Sequence, residues 1–143
     1  MGKANNETQI VIFRLGEEEY GLNISKIQEI IRVPGITRLP NTPDYVLGMF
    51  NLRGDIIPII DLKKKFLRVF EEYTAEARVI VMETEDAKVG IIVDEISEIM
   101  AVSSELSVGK EKISASIKSD NLLGVVTIAE RLIILLDNEK ILM

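Results

Sequence analysis

The chain repeats itself, and the length of the repeat limits what it can fold into. A shift of 69 positions lays Ile10-Val11-Ile12-Phe13 on Val79-Ile80-Val81-Met82, Gly21 on Gly90, Glu29 on Glu98 and Ile30 on Ile99. A shift of 76 lays Leu47-Gly48 on Leu123-Gly124 and Ile57–Asp61 on Ile133–Asp137. The difference of seven is an insertion in the second copy, within Ser103–Asn121, a stretch rich in Ser and Lys. Array repeats recur at about 20–50 residues. A unit near 70 that occurs twice in 143 residues instead implies two similar small modules about a pseudo-twofold axis. The copies divide at approximately 9–72 and 76–143 of one domain, and such a duplication also permits strand exchange. Neither module would bury much surface alone, so the two are expected to share an apolar interface.

Each copy reads as β structure. Ile and Val supply 34 of the 143 residues, and β-branched side chains suit strands. Short apolar runs end at turn residues. Gln9–Leu15 stops at Gly16-Glu17, Ile27–Val33 at Pro34-Gly35, and Gly48–Arg53 at Gly54-Asp55 before Ile56–Ile60. About five strands per copy at this spacing indicate a small barrel, which hides its sheet edges. Asp61 and Asp137 stand where an N-cap would start a short helix at the end of each copy. Ser25-Lys26-Ile27-Gln28 has the spacing of a capping box, so a helical turn is expected before the third strand, with its counterpart beginning at Asp94.

What is missing excludes most chemistry. There is no His and no Cys, which removes His- or thiolate-based nucleophiles, ordinary zinc sites and disulfides. Gly109-Lys110 lacks the preceding glycine of a phosphate loop, and no acidic run has Ca²⁺-loop spacing. With 17 Lys+Arg against 23 Asp+Glu, the net charge of −6 argues against nucleic acid or an anionic membrane as partner. Although 47% of residues are apolar, no run approaches the roughly 20 needed to cross a bilayer. Met1–Asn6 carry no apolar signal core, so the cytoplasm is the expected compartment. No catalytic residue and no cofactor are expected. A homo-oligomeric structural module and a carboxylate- or lysine-based enzyme stand as rivals to a binding module.

The copies control for one another. Positions alike in both serve mostly the fold, as with Gly21/Gly90, Gly48/Gly124 and Asp61/Asp137, while positions that differ are candidates for function. Asn51-Leu52-Arg53-Gly54 is replaced in the second copy by Thr127-Ile128-Ala129-Glu130. Glycine at a hairpin tip is ordinary, but the turn does not require arginine. Arg53 is either a solvated turn residue or a guanidinium placed to meet a carboxylate. Glu29, among Ile27, Ile30 and Ile31, is either a solvent-face residue or that carboxylate. The segment Val33–Pro43 holds three prolines and is either a rigid cover for a sheet edge or the wall of a groove. Some of the Ile/Val excess should stay exposed as partner-binding surface, with Ile27 and Ile99 the first neighbourhoods to test.

Glu19-Tyr20-Gly21, Ile27-Gln28-Glu29-Ile30, Asn41-Thr42-Pro43, Gly48, Asn51-Leu52-Arg53-Gly54 followed by Ile57–Leu62, and Val89–Asp94 together resemble the CheW family of bacterial chemotaxis coupling proteins. The resemblance implies a mainly β fold of two five-stranded SH3-like barrels and no enzyme activity. Its implied partners are the regulatory domain of the histidine kinase CheA and the cytoplasmic tips of methyl-accepting chemoreceptors, at whose clusters the chain would gather. It implies partner binding or kinase control by Ile27, Glu29, Gly48 and Arg53, with Asn51, Leu52 and Gly54 completing the hairpin, and receptor contact by Ile99. In a small barrel the third strand and this hairpin are neighbours, so an Arg53–Glu29 ion pair is expected.

Overall fold

The computed structural model describes residues 7–69, 71–103 and 122–142. Ten strands run through them: β1 (Glu7–Leu15), β2 (Glu18–Asn23), β3 (Ile27–Arg32), β4 (Val46–Leu52), β5 (Asp55–Asp61), β6 (Arg78–Glu83), β7 (Lys88–Val93), β8 (Glu95–Ser103), β9 (Leu122–Ile128) and β10 (Arg131–Leu136). The sequence repeat maps β1–β5 onto β6–β10 in order. Residues 104–121, the stretch within which the seven-residue insertion falls, with Gly109-Lys110, and Met1–Asn6 lie outside the described residues.

The strands form two five-stranded sheets, ordered β8-β1-β2-β10-β9 and β3-β6-β7-β5-β4. Replacing each strand of the first by its repeat counterpart produces the second. Each sheet nevertheless mixes the copies, because the first two strands of each copy pair with the last three of the other. The compact units follow the sheets: Met1–Ser25 with Ser97–Met143, and Lys26–Ile96. The limits 9–72 and 76–143 read from the repeat therefore do not coincide with these units. The fold is mainly β with two five-stranded modules, as expected.

Each unit has its own core. Ile10, Ile12, Val102, Val126 and Ile133 fill one; Phe50, Ile57, Ile59, Val79, Val81 and Ile92 fill the other. One parallel pair joins the two copies in each sheet, β2 with β10 and β5 with β7. Gly21 and Gly90 sit at these seams. A Cβ on Gly21 would stand 3.1 Å from Ile10 and Leu135, and one on Gly90 would stand 2.8 Å from Val79.

The second sheet ends in β3 and β4, and the proline-rich segment covers β4. Thr37 exchanges two backbone hydrogen bonds with Met49, each 2.8 Å long. Of the two readings of that segment, the structure shows the edge cover. Gly48 permits the approach. Its φ is +145°, and a Cβ there would lie 2.2 Å from the Thr37 carbonyl oxygen.

Both aspartates accept amides of the turn that follows, although the residue at the N-cap of the first turn is Leu62, one position beyond Asp61. The Asp61 carboxylate accepts the Lys64 amide at 3.1 Å, beside a single π-helical turn at Lys63–Leu67. Asp137 accepts the amides of Glu139 and Lys140 at 3.0 and 3.1 Å before a 3-10 turn at Lys140–Leu142. The turn expected ahead of β3 spans Ile24–Lys26, but its cap is Asn23, whose side-chain oxygen accepts the Ser25 amide at 2.8 Å. At the counterpart position there is a bend and no helical turn; Asp94 there accepts a hydrogen bond from Lys63 at 2.8 Å. Among the described residues, no helix is long and apolar enough to cross a membrane.

Gly48→Ala should both strain the backbone and push the edge cover away. We expect a loss of about 1–3 kcal/mol in urea denaturation. Gly35→Ala is the control, since a Cβ at Gly35 meets nothing within 4 Å, and it should change stability by less than about 0.5 kcal/mol.

Candidate functional site

The β4–β5 hairpin pairs Leu52 with Asp55, which leaves Arg53-Gly54 as a two-residue turn. Both residues have positive φ, 50° and 96°, the geometry that matches strand twist in a tight hairpin. The Asn51 side-chain oxygen accepts the Gly54 amide at 3.0 Å, and Leu52 packs on the core. Asn51, Leu52 and Gly54 thus build the turn. Arg53 projects from it, and its side chain is 65% exposed.

Arg53 Nη2 donates to Glu29 Oε2, so the ion pair expected from the sequence is formed. Glu29 follows a register shift in β3, where Ile27 faces Met82 and Glu29 faces Val81. Such a bulge re-aims side chains. In sheet order β3 and β4 are opposite ends, so the pair links the two edges of one sheet. An exposed pair of this kind contributes only about 0–1 kcal/mol to folding. Its larger effect is on the surface, where it holds the guanidinium in one orientation.

The other unit has a counterpart built differently. Ala129 and Glu130 form the β9–β10 turn with φ of 50° and 68°, and the arginine is one residue beyond, at Arg131. Its Nη1 donates to Glu98, the repeat counterpart of Glu29, at 2.6 Å. Its Nε and Nη2 grip Glu19 at 2.9 and 2.7 Å, and the Ser97 hydroxyl also donates to Glu19, at 3.1 Å. Hydrogen bonds from Arg131 hold the Glu19 carboxyl below its ordinary value of 4.5, against the opposing effect of burial. The sequence signal for this network was available: both copies place an arginine at the hairpin and a glutamate on the third strand.

The candidates are divided between the two units. Ile27, Glu29, Gly48 and Asn51–Gly54 belong to the unit Lys26–Ile96, and Ile99 to the other. Ile27 is half-buried, Gly48 is buried, and Ile99 is 51% exposed. Sequence reasoning missed Ile56 and Leu132, repeat counterparts that are each 59% exposed. In the apolar run Ile56–Ile60 the alternation was concealed, yet Ile57 and Ile59 alone of the four isoleucines are buried. Among the described residues, no group of three or more carboxylates is placed to hold a metal ion.

The Arg131 network has a pH signature. A depressed carboxyl stabilises the fold fully above its unfolded midpoint, and that contribution disappears as pH falls through the lower folded one. Arg131→Met should raise the Glu19 midpoint in an NMR titration and flatten the acid limb of the stability profile below about pH 4.3. An unchanged Glu19 midpoint would exclude the arginine as the cause.

A family model of the CheW-like domain matches residues 9–143. The chemotaxis protein CheW of Klebsiella aerogenes is 40% identical over 134 residues, which cover 94% of this chain and 81% of that protein. The chemotaxis protein CheW of Treponema pallidum is 37% identical over 147 residues, covering 99% of this chain and 85% of that one. The crystal structure of the scaffolding protein TtCheW from Thermoanaerobacter tengcongensis matches with a TM-score of 0.87 at 32% identity, over 95% of this chain and 88% of the other. By sequence and by fold, the chain belongs to the CheW-like domain family.

Proposed function

We propose that the chain is a non-enzymatic chemotaxis adaptor that couples transmembrane chemoreceptors to the histidine kinase CheA through protein contacts. The observation that carries this reading is the exposed Arg53–Glu29 pair. It stands on the hairpin tip where the two copies part, and it contributes little to the fold that surrounds it. The names of the relatives support a chemotaxis role, and the matched structure is that of a scaffolding protein. In this reading one CheW-like domain gathers at receptor clusters. Ile27, Glu29, Gly48 and the Asn51–Gly54 hairpin form a kinase-controlling surface. Ile99, an aliphatic side chain left 51% exposed on β8, contacts the receptor, in keeping with the apolar anchors that bind helices.

A double-mutant cycle in a receptor–CheA activity assay tests the surface. Arg53→Ala and Glu29→Ala should each weaken kinase activation, shift the melting temperature little, and combine non-additively. Strict additivity would separate the two residues mechanistically. Co-sedimentation of the folded wild-type chain with receptor membranes and CheA tests the adaptor role itself, and its absence would reject that role. Light scattering of the chain alone distinguishes the rival, a homo-oligomeric module.

A further inference from the structure

β5 lies between β7 and β4 in its sheet, yet only one side of its first half is paired. It pairs with β4 from Asp55 to Ile60, while its parallel ladder with β7 begins only at Ile59 opposite Gly90. The counterpart strand β10 starts its ladder with β2 at Ile133, which corresponds to Ile57. The difference traces to one residue: Pro58 stands where the second copy has Ile134. Proline has no N–H to give to a ladder. The neighbouring hairpin differs in chemistry but not in length: where β1–β2 turns through Gly16-Glu17, β6–β7 turns through two carboxylates, Glu85-Asp86, closed by the Thr84 amide donating to the Ala87 carbonyl at 2.8 Å.

Between the unpaired half of β5 and this acidic hairpin lies a groove of about 450 Å³, lined by Asp55, Ile56, Pro58 and Glu83–Lys88. Ile56, 59% exposed, and Pro58 make its apolar part. The rim carries the carboxylates of Asp55, Glu83, Glu85 and Asp86 against one ammonium, Lys88. That ammonium is paired with Asp55 at 2.8 Å. We propose that this groove docks a partner polypeptide presenting an aliphatic or aromatic side chain flanked by lysines or arginines. The apolar side chain covers Ile56 and Pro58, and the flanking cations meet Glu83, Glu85 and Asp86. An acidic segment is repelled by the same rim. So is a second copy of this chain, whose net charge is −6. The groove uses neither Glu29 nor Arg53, and its occupancy is separable from the adaptor role.

The test is an NMR titration of the isotope-labelled full chain with three peptides. The first is Lys-Lys-Leu-Lys-Phe-Leu-Lys-Lys, the second has Glu for every Lys, and the third has Ser for every Leu and Phe. The first peptide should shift the amides of Ile56, Ile57 and Glu83–Lys88, and the other two should bind at least about tenfold more weakly. The double substitution Glu85→Lys with Asp86→Lys, and separately Ile56→Ser, should each weaken the first peptide by about tenfold or more. Unchanged spectra away from the groove certify the fold of both variants. The proposal is overturned by no binding of the first peptide, by shifts elsewhere, by equal binding of the Ser peptide, or by unaltered affinity in both variants. A chain that binds the first peptide as described yet fails to join receptor–CheA complexes keeps the groove and loses only the adaptor role.

Discussion

A five-stranded sheet has two edges whose outward N–H and C=O groups need partners, and disposing of them organises much else here. In the unit Lys26–Ile96 the chain continues past β3, and Thr37 pairs with Met49 on β4. That closure requires Gly48 to lack a Cβ, and it requires the proline-rich segment to stay extended. It also explains how Glu29 on one edge strand and Arg53 beside the other come within hydrogen-bond reach. The residues that carry the proposed signalling surface are thus brought together by the solution to an edge problem.

The exchange of strands between copies poses a second problem, which the two units solve with different chemistry. In each, the turn after the last strand must be secured to the end of a strand from the other copy. In one unit Asn138 donates to the Asn23 carbonyl at 3.0 Å and accepts the Asn23 amide at 3.3 Å, across 115 positions of sequence. In the other, Lys63 does the equivalent work from the π-helical turn. It is almost wholly buried, pairs with Asp94 at 2.8 Å and lies 4.4 Å from the centre of the Tyr73 ring. Buried charge is tolerated only when paired and packed in this way.

The strands, their turns, the acidic caps and the Arg53–Glu29 pair were legible in the sequence because each rests on local pattern or on agreement between copies. Strand exchange was not. Each copy contains the same strand types, so pairing within a copy and pairing between copies satisfy the same hydrophobic pattern, and periodicity does not choose between them. The capping box at Ser25 failed because Asn23, two residues earlier, takes the Ser25 amide. The Arg131 network was hidden by a displacement of one residue, which moves the arginine from the turn to the start of the strand. Ile56 was concealed by an unbroken apolar run, although Pro58 within it was the signal that an interior ladder would be interrupted.

The two arginine sites show how exposure decides what an ion pair does. Arg131 is shared between Glu19 and Glu98, with side-chain exposures of 36%, 20% and 41%, and Ser97 adds a further hydrogen bond to Glu19. Such a network commits the guanidinium to its own sheet. Arg53 meets the single carboxylate of Glu29 and leaves 65% of its side chain in solvent, so its planar fork is still presented to a partner's carboxylate. Two residues further along the chain stands Asp55, the start of the acidic groove wall. Positive and negative surfaces set side by side favour one orientation of a partner over its reverse, because the reversed pose brings like charges together. For a chemotaxis adaptor, that selection matters more than the small stability either pair confers.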